Sequence, residues 1–136
     1  MTAKFQLSQR SILRLDGVHI DLVRVVKRAI ELSEVDFIVT EGVRSAARQK
    51  ELVAAGASQT NRSRHLPSVN KCGMACAVDL AALVGNEVRW DWPLYAKLAK
   101  AMKAAAAELA IPLEWGGDWK TLKDGPHFQL TWKAYP

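Results

Sequence analysis

The run Ala75 to Val84, "ACAVDLAALV", is the most apolar stretch of the chain, and it carries one acid near its centre. It reads as a central strand with one inward polar group, and it restricts the fold in two ways. A membrane-spanning helix needs roughly 20 apolar residues, and this run is far shorter, so no stable membrane insertion is expected. A carboxylate among apolar neighbours is costly unless it is paired or coordinates a metal. Asp79 therefore needs a partner from elsewhere in the chain.

The segments around this run have their own periods. "DLVRVVKRAIELS" places Leu22, Val25, Val26, Ala29, Ile30 and Leu32 on one face, with Arg24, Lys27, Arg28 and Glu31 largely opposite, and predicts an amphipathic helix. "DFIVTEG" is a β-branched and aromatic run ended by Gly42, which predicts a strand with Arg44 just beyond its end. "SAARQKELVAAG" opens on Ser45 as N-cap and stops at Gly56, with Ala47, Leu52 and Ala55 among its apolar positions, a second helix. "ASQTNRSRHLPSVNKCG" has no apolar period, and a loop of that length inside a compact domain is usually functional or disordered. Asp91, Pro93 and the series Leu94, Leu98, Ala101, Met102, Ala105 and Leu109 predict a long helix. "PLEWGGDW" and "PHFQLTW" read as short strands joined by the polar loop 120–125. This order predicts an α+β fold: a single compact domain with a small, mostly antiparallel sheet flanked by helices. The 136 residues, 49% hydrophobic, suffice for one core, so 1–136 is expected to be one domain.

A net charge of +5 favours a polyanionic partner: nucleic acid, an anionic membrane surface or an anionic cell-wall polymer. The cations are dispersed, and the five tryptophans, Trp90, Trp92, Trp115, Trp119 and Trp132, do not interleave with a basic stripe. A nucleic-acid-binding module is therefore the weaker reading, and no nucleic-acid partner is expected. Met1 to Leu15 scatters charge where a signal peptide needs an apolar core, so the chain is expected to stay in the cytosol until something releases it. In that setting Cys72 and Cys76 are expected to be reduced thiols. Two thiols without a second pair do not make a structural zinc site, and Cys76 reads as a small buried hydrophobe.

Three histidines remain. His19 precedes the first helix, where packing or capping explains it. His65 lies in the long loop, and His127 follows Pro126 at the start of a strand, three residues after Asp124 across a "GP" turn. Two histidines and a carboxylate, with one position left for water, are chemically sufficient for catalytic zinc. Asp124 would then serve as the proton-transfer group, and Arg44 would stabilise an oxyanion or hold an anionic group of the substrate. A helix-borne HExxH pair is absent, which excludes a thermolysin-like zinc site.

The successive blocks "TEGVRSAARQKELVAAGAS", "SRH...AVDLAA" and "EWGGDWKTLKDGPHFQL" resemble the zinc metallopeptidases of the M15 family, and most of all its phage endolysin branch. That family comprises D-alanyl-D-alanine carboxypeptidases and dipeptidases and phage L-alanyl-D-glutamate endopeptidases. The resemblance spans about residues 17–130. It implies a hedgehog/DD-peptidase-like fold, Zn2+ as cofactor, and His65, Asp79 and His127 as its ligands. It further implies Asp124 as catalytic acid/base, Arg44 in substrate or transition-state binding, Ser63 in the substrate-binding block and Trp115 as a pocket wall. The implied activity is hydrolysis of the L-alanyl-D-glutamate bond in the peptidoglycan stem peptide, by a monomer without a separate wall-binding domain that is released to the wall at lysis. A D-alanyl-D-alanine carboxypeptidase is the alternative within the family, and a non-catalytic partner-binding domain of hedgehog type the alternative outside it. One departure stands out. Thirteen residues, 66–78, separate His65 from Asp79, more than the family's usual spacing, and Ala75 stands where a glycine is usual.

Overall fold

The apolar run becomes the strand to which the rest of the sheet is attached. In the computed structural model, which describes residues 5–56 and 62–136, the chain forms α1 (Gln9–Arg14), α2 (Ile20–Leu32), β1 (Asp36–Glu41), α3 (Ala46–Ala54), β2 (Ala77–Val84), β3 (Glu87–Arg89), α4 (Trp92–Leu109), β4 (Leu113–Trp115) and β5 (His127–Leu130). The sheet order is β1-β2-β5-β4, with β3 also on β2, and every strand pair is antiparallel. β5 pairs with Ala77 to Asp79 and β3 with Ala82 to Val84, so β3 takes up the edge of β2 where β5 leaves it. The fold is the expected α+β domain.

Alternation along β2 separates two environments. Val78, Leu80 and Ala82 face the helices and join Phe37 and Val39 of β1 and Phe128 and Leu130 of β5 in one buried cluster. α2 contributes Leu22, Val25, Val26, Ala29 and Ile30, and α4 contributes Leu98, Ala101, Met102 and Ala105. Burial of each large side chain here contributes about 1.5–3 kcal/mol. The alternate residues, Asp79 of β2 and His127 and Gln129 of β5, project from the opposite face.

Four details differ from the sequence expectations. α1 has no apolar period because its work is polar: Ser11 Oγ accepts from Val39 N at 3.0 Å and Arg14 Nη1 donates to Val39 O at 2.9 Å, covering the outer edge of β1. β3 follows the two-residue turn Gly85-Asn86, a hairpin signal too short to stand out beside the long helix after it. Leu32, expected on the buried face of its helix, is 37% exposed at the last position of α2. In α3, capped by Ser45 as expected, the buried residue is Gln49, with neither Ala47 nor Ala55 buried. His19 caps α2: its Nδ1 accepts from Asp21 N at 3.0 Å.

Candidate active site

Two features of strand pairing assemble the polar face. Asp79 lies directly opposite His127, which puts both side chains on the same face next to one another. On the other side of β2, the pairing Val39 to Leu80 is followed by Glu41 to Asp79, so Thr40 is an extra residue in β1. This bulge turns Glu41 onto the Asp79 face, where continued alternation would have sent it into the core.

His65, Asp79 and His127 offer ligand atoms that all lie within 4.8 Å of one another. His65 Nε2 and His127 Nδ1 each stand 3.2 Å from Asp79 Oδ1. The far nitrogens are also engaged: His65 Nδ1 lies 2.8 Å from Gly42 O, and His127 Nε2 lies 2.8 Å from Gln129 Oε1. A carbonyl oxygen only accepts, so those outer nitrogens carry the protons and the inner ones present lone pairs to a carboxylate. Three acceptors facing one another require a cation between them. The arrangement therefore fits a divalent metal, with Gly42 and Gln129 fixing the ligand tautomers.

The ionisation pattern agrees. Burial disfavours the charge on Asp79, yet the imidazoles of His127 and His65 beside it hold its carboxyl well below the usual range. Burial likewise lowers His127, but the adjoining Asp79 carboxylate outweighs it and leaves the imidazole raised.

These residues line a cavity of about 940 Å3 together with Arg44, Ser63 and Asp124. Arg44 is anchored from several sides: its Nε donates to Glu41, its Nη1 donates to Gln49 Oε1 at 2.8 Å, and its Nη2 lies 3.7 Å from Asp79 Oδ2. Ser63 Oγ accepts from His65 N at 3.2 Å and faces Arg44 Nη1 at 3.5 Å. Asp124 sits in a turn whose N–H donates to Gly116 O at 3.0 Å and whose carbonyl accepts from His127 N at 3.2 Å. A side chain at Gly116 would collide with the Asp124 carbonyl, which is why this approach uses glycine. Burial, followed by the charge of Asp79, raises the Asp124 carboxyl above its ordinary value, despite the opposing pull of His127, His65 and Arg44.

Trp115, expected to wall the pocket, is not among the residues lining it. It pairs with Phe128, which puts it on the helix-facing side, where its ring stacks 6.3 Å from that of Phe128. Its indole N–H donates to Gly125 O at 2.7 Å, so it supports the Asp124 turn from behind. The tryptophans that line the cavity are Trp119 and Trp132, of which Trp119 lies 5.2 Å from the His127 ring and is tied to Glu114 Oε2 at 2.7 Å. Strand parity in "LEW" separates Trp115 from Trp119, and the turn at 116–118 that ends it was not legible in composition. Arg64 also escaped the sequence reading. It is buried, with Nε on Asn70 Oδ1 at 3.0 Å, Nη1 on Leu130 O at 2.8 Å and its guanidinium 3.9 Å from the Trp132 ring centroid. The long segment after His65 turns towards the C-terminus, where Lys71 N donates to Pro136 O at 3.0 Å, and none of residues 66–76 is among those lining the cavity. Neither cysteine belongs to the His-Asp-His group.

Comparisons with known proteins place the chain in a family. The family model for phage L-alanyl-D-glutamate peptidase matches residues 3–130. The chain is 31% identical over 121 residues to the L-alanyl-D-glutamate peptidase of Escherichia phage T5, covering 88% of this chain and 85% of that one. It is 31% identical over 112 residues to the peptidoglycan L-alanyl-D-glutamate endopeptidase CwlK of Bacillus subtilis, covering 77% of this chain and 66% of CwlK. The crystal structure of the Serratia marcescens L-Ala D-Glu endopeptidase ChiX superposes with a TM-score of 0.86 at 51% identity, covering 96% of this chain and 93% of ChiX. The chain belongs to the phage L-alanyl-D-glutamate peptidase family.

Proposed function

We propose that this protein is a zinc-dependent peptidase that hydrolyses the L-alanyl-D-glutamate bond of the peptidoglycan stem peptide. The observation that carries the reading is the convergence of His65, Asp79 and His127 on one point, with outer nitrogens already bonded, beside a half-buried carboxylate in an open cavity. His65 Nε2, His127 Nδ1 and an Asp79 oxygen would hold the zinc. When bound, zinc supplies Lewis acidity, polarising a carbonyl and making water a stronger acid.

The chain's own residues do the rest. Asp124 takes the proton from the attacking water and returns it to the departing D-glutamate amine; its raised pKa suits a group that must both accept and donate. Arg44, already held by Glu41 and Gln49, projects one edge of its guanidinium towards Asp79 and the cavity, where it binds the developing oxyanion or a substrate carboxylate. Ser63 positions both Arg44 and the backbone of His65. Trp119 covers His127 and limits access of bulk water to that side. Because the ligands must be free of protons, zinc affinity falls as His127 becomes protonated in acid.

The same domain acts as a monomer on the wall, and the net charge of +5 assists its approach to anionic envelope polymers over short range. No helix among the described residues is long and apolar enough to cross a membrane. Relatives come from phages and from bacteria, and release at lysis is the route we propose for this chain. Mass spectrometry of purified peptidoglycan tests the reaction. New L-alanine and D-glutamate ends that vanish with chelator and return with zinc are expected. Loss of terminal D-alanine alone would move the specificity to the D-alanyl-D-alanine bond, and no cleavage by zinc-loaded protein would refute the reading.

A further inference from the structure

Cys72 and Cys76 lie apart from the metal cluster but against each other. Their Sγ atoms are 3.8 Å apart, with Cys72 exposed and Cys76 buried. Both thiols surround Met74: its N–H donates to Cys72 Sγ at 3.4 Å, and its carbonyl faces the two sulfurs at 3.6 and 3.8 Å. Gly73 between them has φ 72°, a left-handed conformation that glycine adopts without strain, and this turn brings the two thiols to the same side. We propose that Cys72 and Cys76 form a disulfide by exchange with a small-molecule disulfide when the protein passes from a reducing to an oxidising compartment. The passage rests on the function proposed above; the chemistry of the pair does not.

Exposure makes Cys72 the attacking group. Its thiolate displaces one thiolate from the small disulfide and leaves a mixed disulfide on the protein. Cys76 then loses its proton, attacks Cys72 Sγ and expels the second small thiolate. The protein gives up two protons and two electrons, and the oxidant leaves as two thiols. Burial pushes the Cys76 thiol up to about 11 while the Arg64 guanidinium pulls it back, which suits the resolving role better than the attacking one.

Closure would act on the support of the site. Asn70 Nδ2 donates to Met74 O at 2.8 Å and to Leu66 O and Arg64 O at 3.2 Å, and Asn70 Oδ1 accepts from Arg64 Nε. Cys76 N donates to Arg64 O at 2.8 Å. A bond from 72 to 76 therefore staples the loop at the point from which Asn70 and Arg64 hold the segment carrying His65.

The test is equilibration of the full chain in buffers of reduced and oxidised glutathione, read by intact mass, alkylation and thermal unfolding. In the oxidised buffer the wild type should lose the mass of two hydrogens, take up no alkylating reagent after denaturation, and unfold about 5 °C above the reduced protein. Cys72→Ser should keep Cys76 alkylatable and show no such rise. Cys76→Ala should trap one glutathione on Cys72; if its emptied core position prevents folding, Cys72→Ser carries the comparison alone. Two alkylatable thiols in the oxidised wild type, a glutathione on each cysteine, or bonds between chains would overturn the proposal. None of these readouts uses peptidase activity, so absent cleavage in both redox forms would count against the proposed function and leave the thiol result standing.

Discussion

The two faces of β2 are built from the same eight residues and meet opposite demands. Towards the helices, Val78, Leu80 and Ala82 have no polar atoms and need only volume and shape. Towards the cavity, Asp79 is held by two histidines and an arginine that come from a loop, a neighbouring strand and the segment after β1. The apolar face tolerates adjustment, whereas the polar face depends on register: a slip of one residue would turn Asp79 into the core and Val78 into the cavity. Packing on one side thus fixes the geometry of chemistry on the other.

The contrast can be broken most severely from the polar face. Asp124→Asn should lower kcat about 10²–10⁴-fold while zinc stays bound, measured on a soluble stem peptide; an unchanged rate would remove Asp124 from proton transfer. On the apolar face, Phe128→Ala should cost about 3–5 kcal/mol of stability, read by denaturant unfolding, without changing the ligand set. Next comes the support of the ligands. Gln129→Leu should weaken zinc binding about 10–100-fold by losing the partner of His127 Nε2, measured by chelator competition, with little change in unfolding of the metal-free protein.

The smallest effect concerns stability against pH. The Asp124 carboxyl is raised in the fold, so its contribution favours the folded state below the ordinary carboxylate range and is lost as pH rises through the raised value. In metal-free protein at neutral pH, Asp124→Asn should therefore unfold at a slightly higher temperature than wild type, and the gap should close in acid. A variant less stable than wild type at neutral pH would reverse the sign.

The same contrast explains which features are legible in the sequence. The apolar periods of α2 and α4 are legible because packing against one core repeats every turn. Asp79 is legible because a lone acid in an apolar run has few ways to exist, and the family resemblance supplies roles for His65, His127 and Asp124. Glu41 and Gln49 were not legible as partners of Arg44, since a bulge places one and the other is a polar residue on the buried side of a weakly amphipathic helix. Trp119 and Trp115 are not distinguishable in the sequence, because their separation depends on where β4 ends, which composition does not mark. α1 escaped because it meets β1 through Ser11 and Arg14 rather than through an apolar stripe.

The measurement closest to the central claim is zinc content by native mass spectrometry for wild type, Asp124→Asn and His127→Ala, each checked for folding. The account predicts one zinc per chain in the wild type and in Asp124→Asn, and none in folded His127→Ala. A full equivalent of zinc in folded His127→Ala would contradict it, because the metal would then be held by something other than the face built around Asp79.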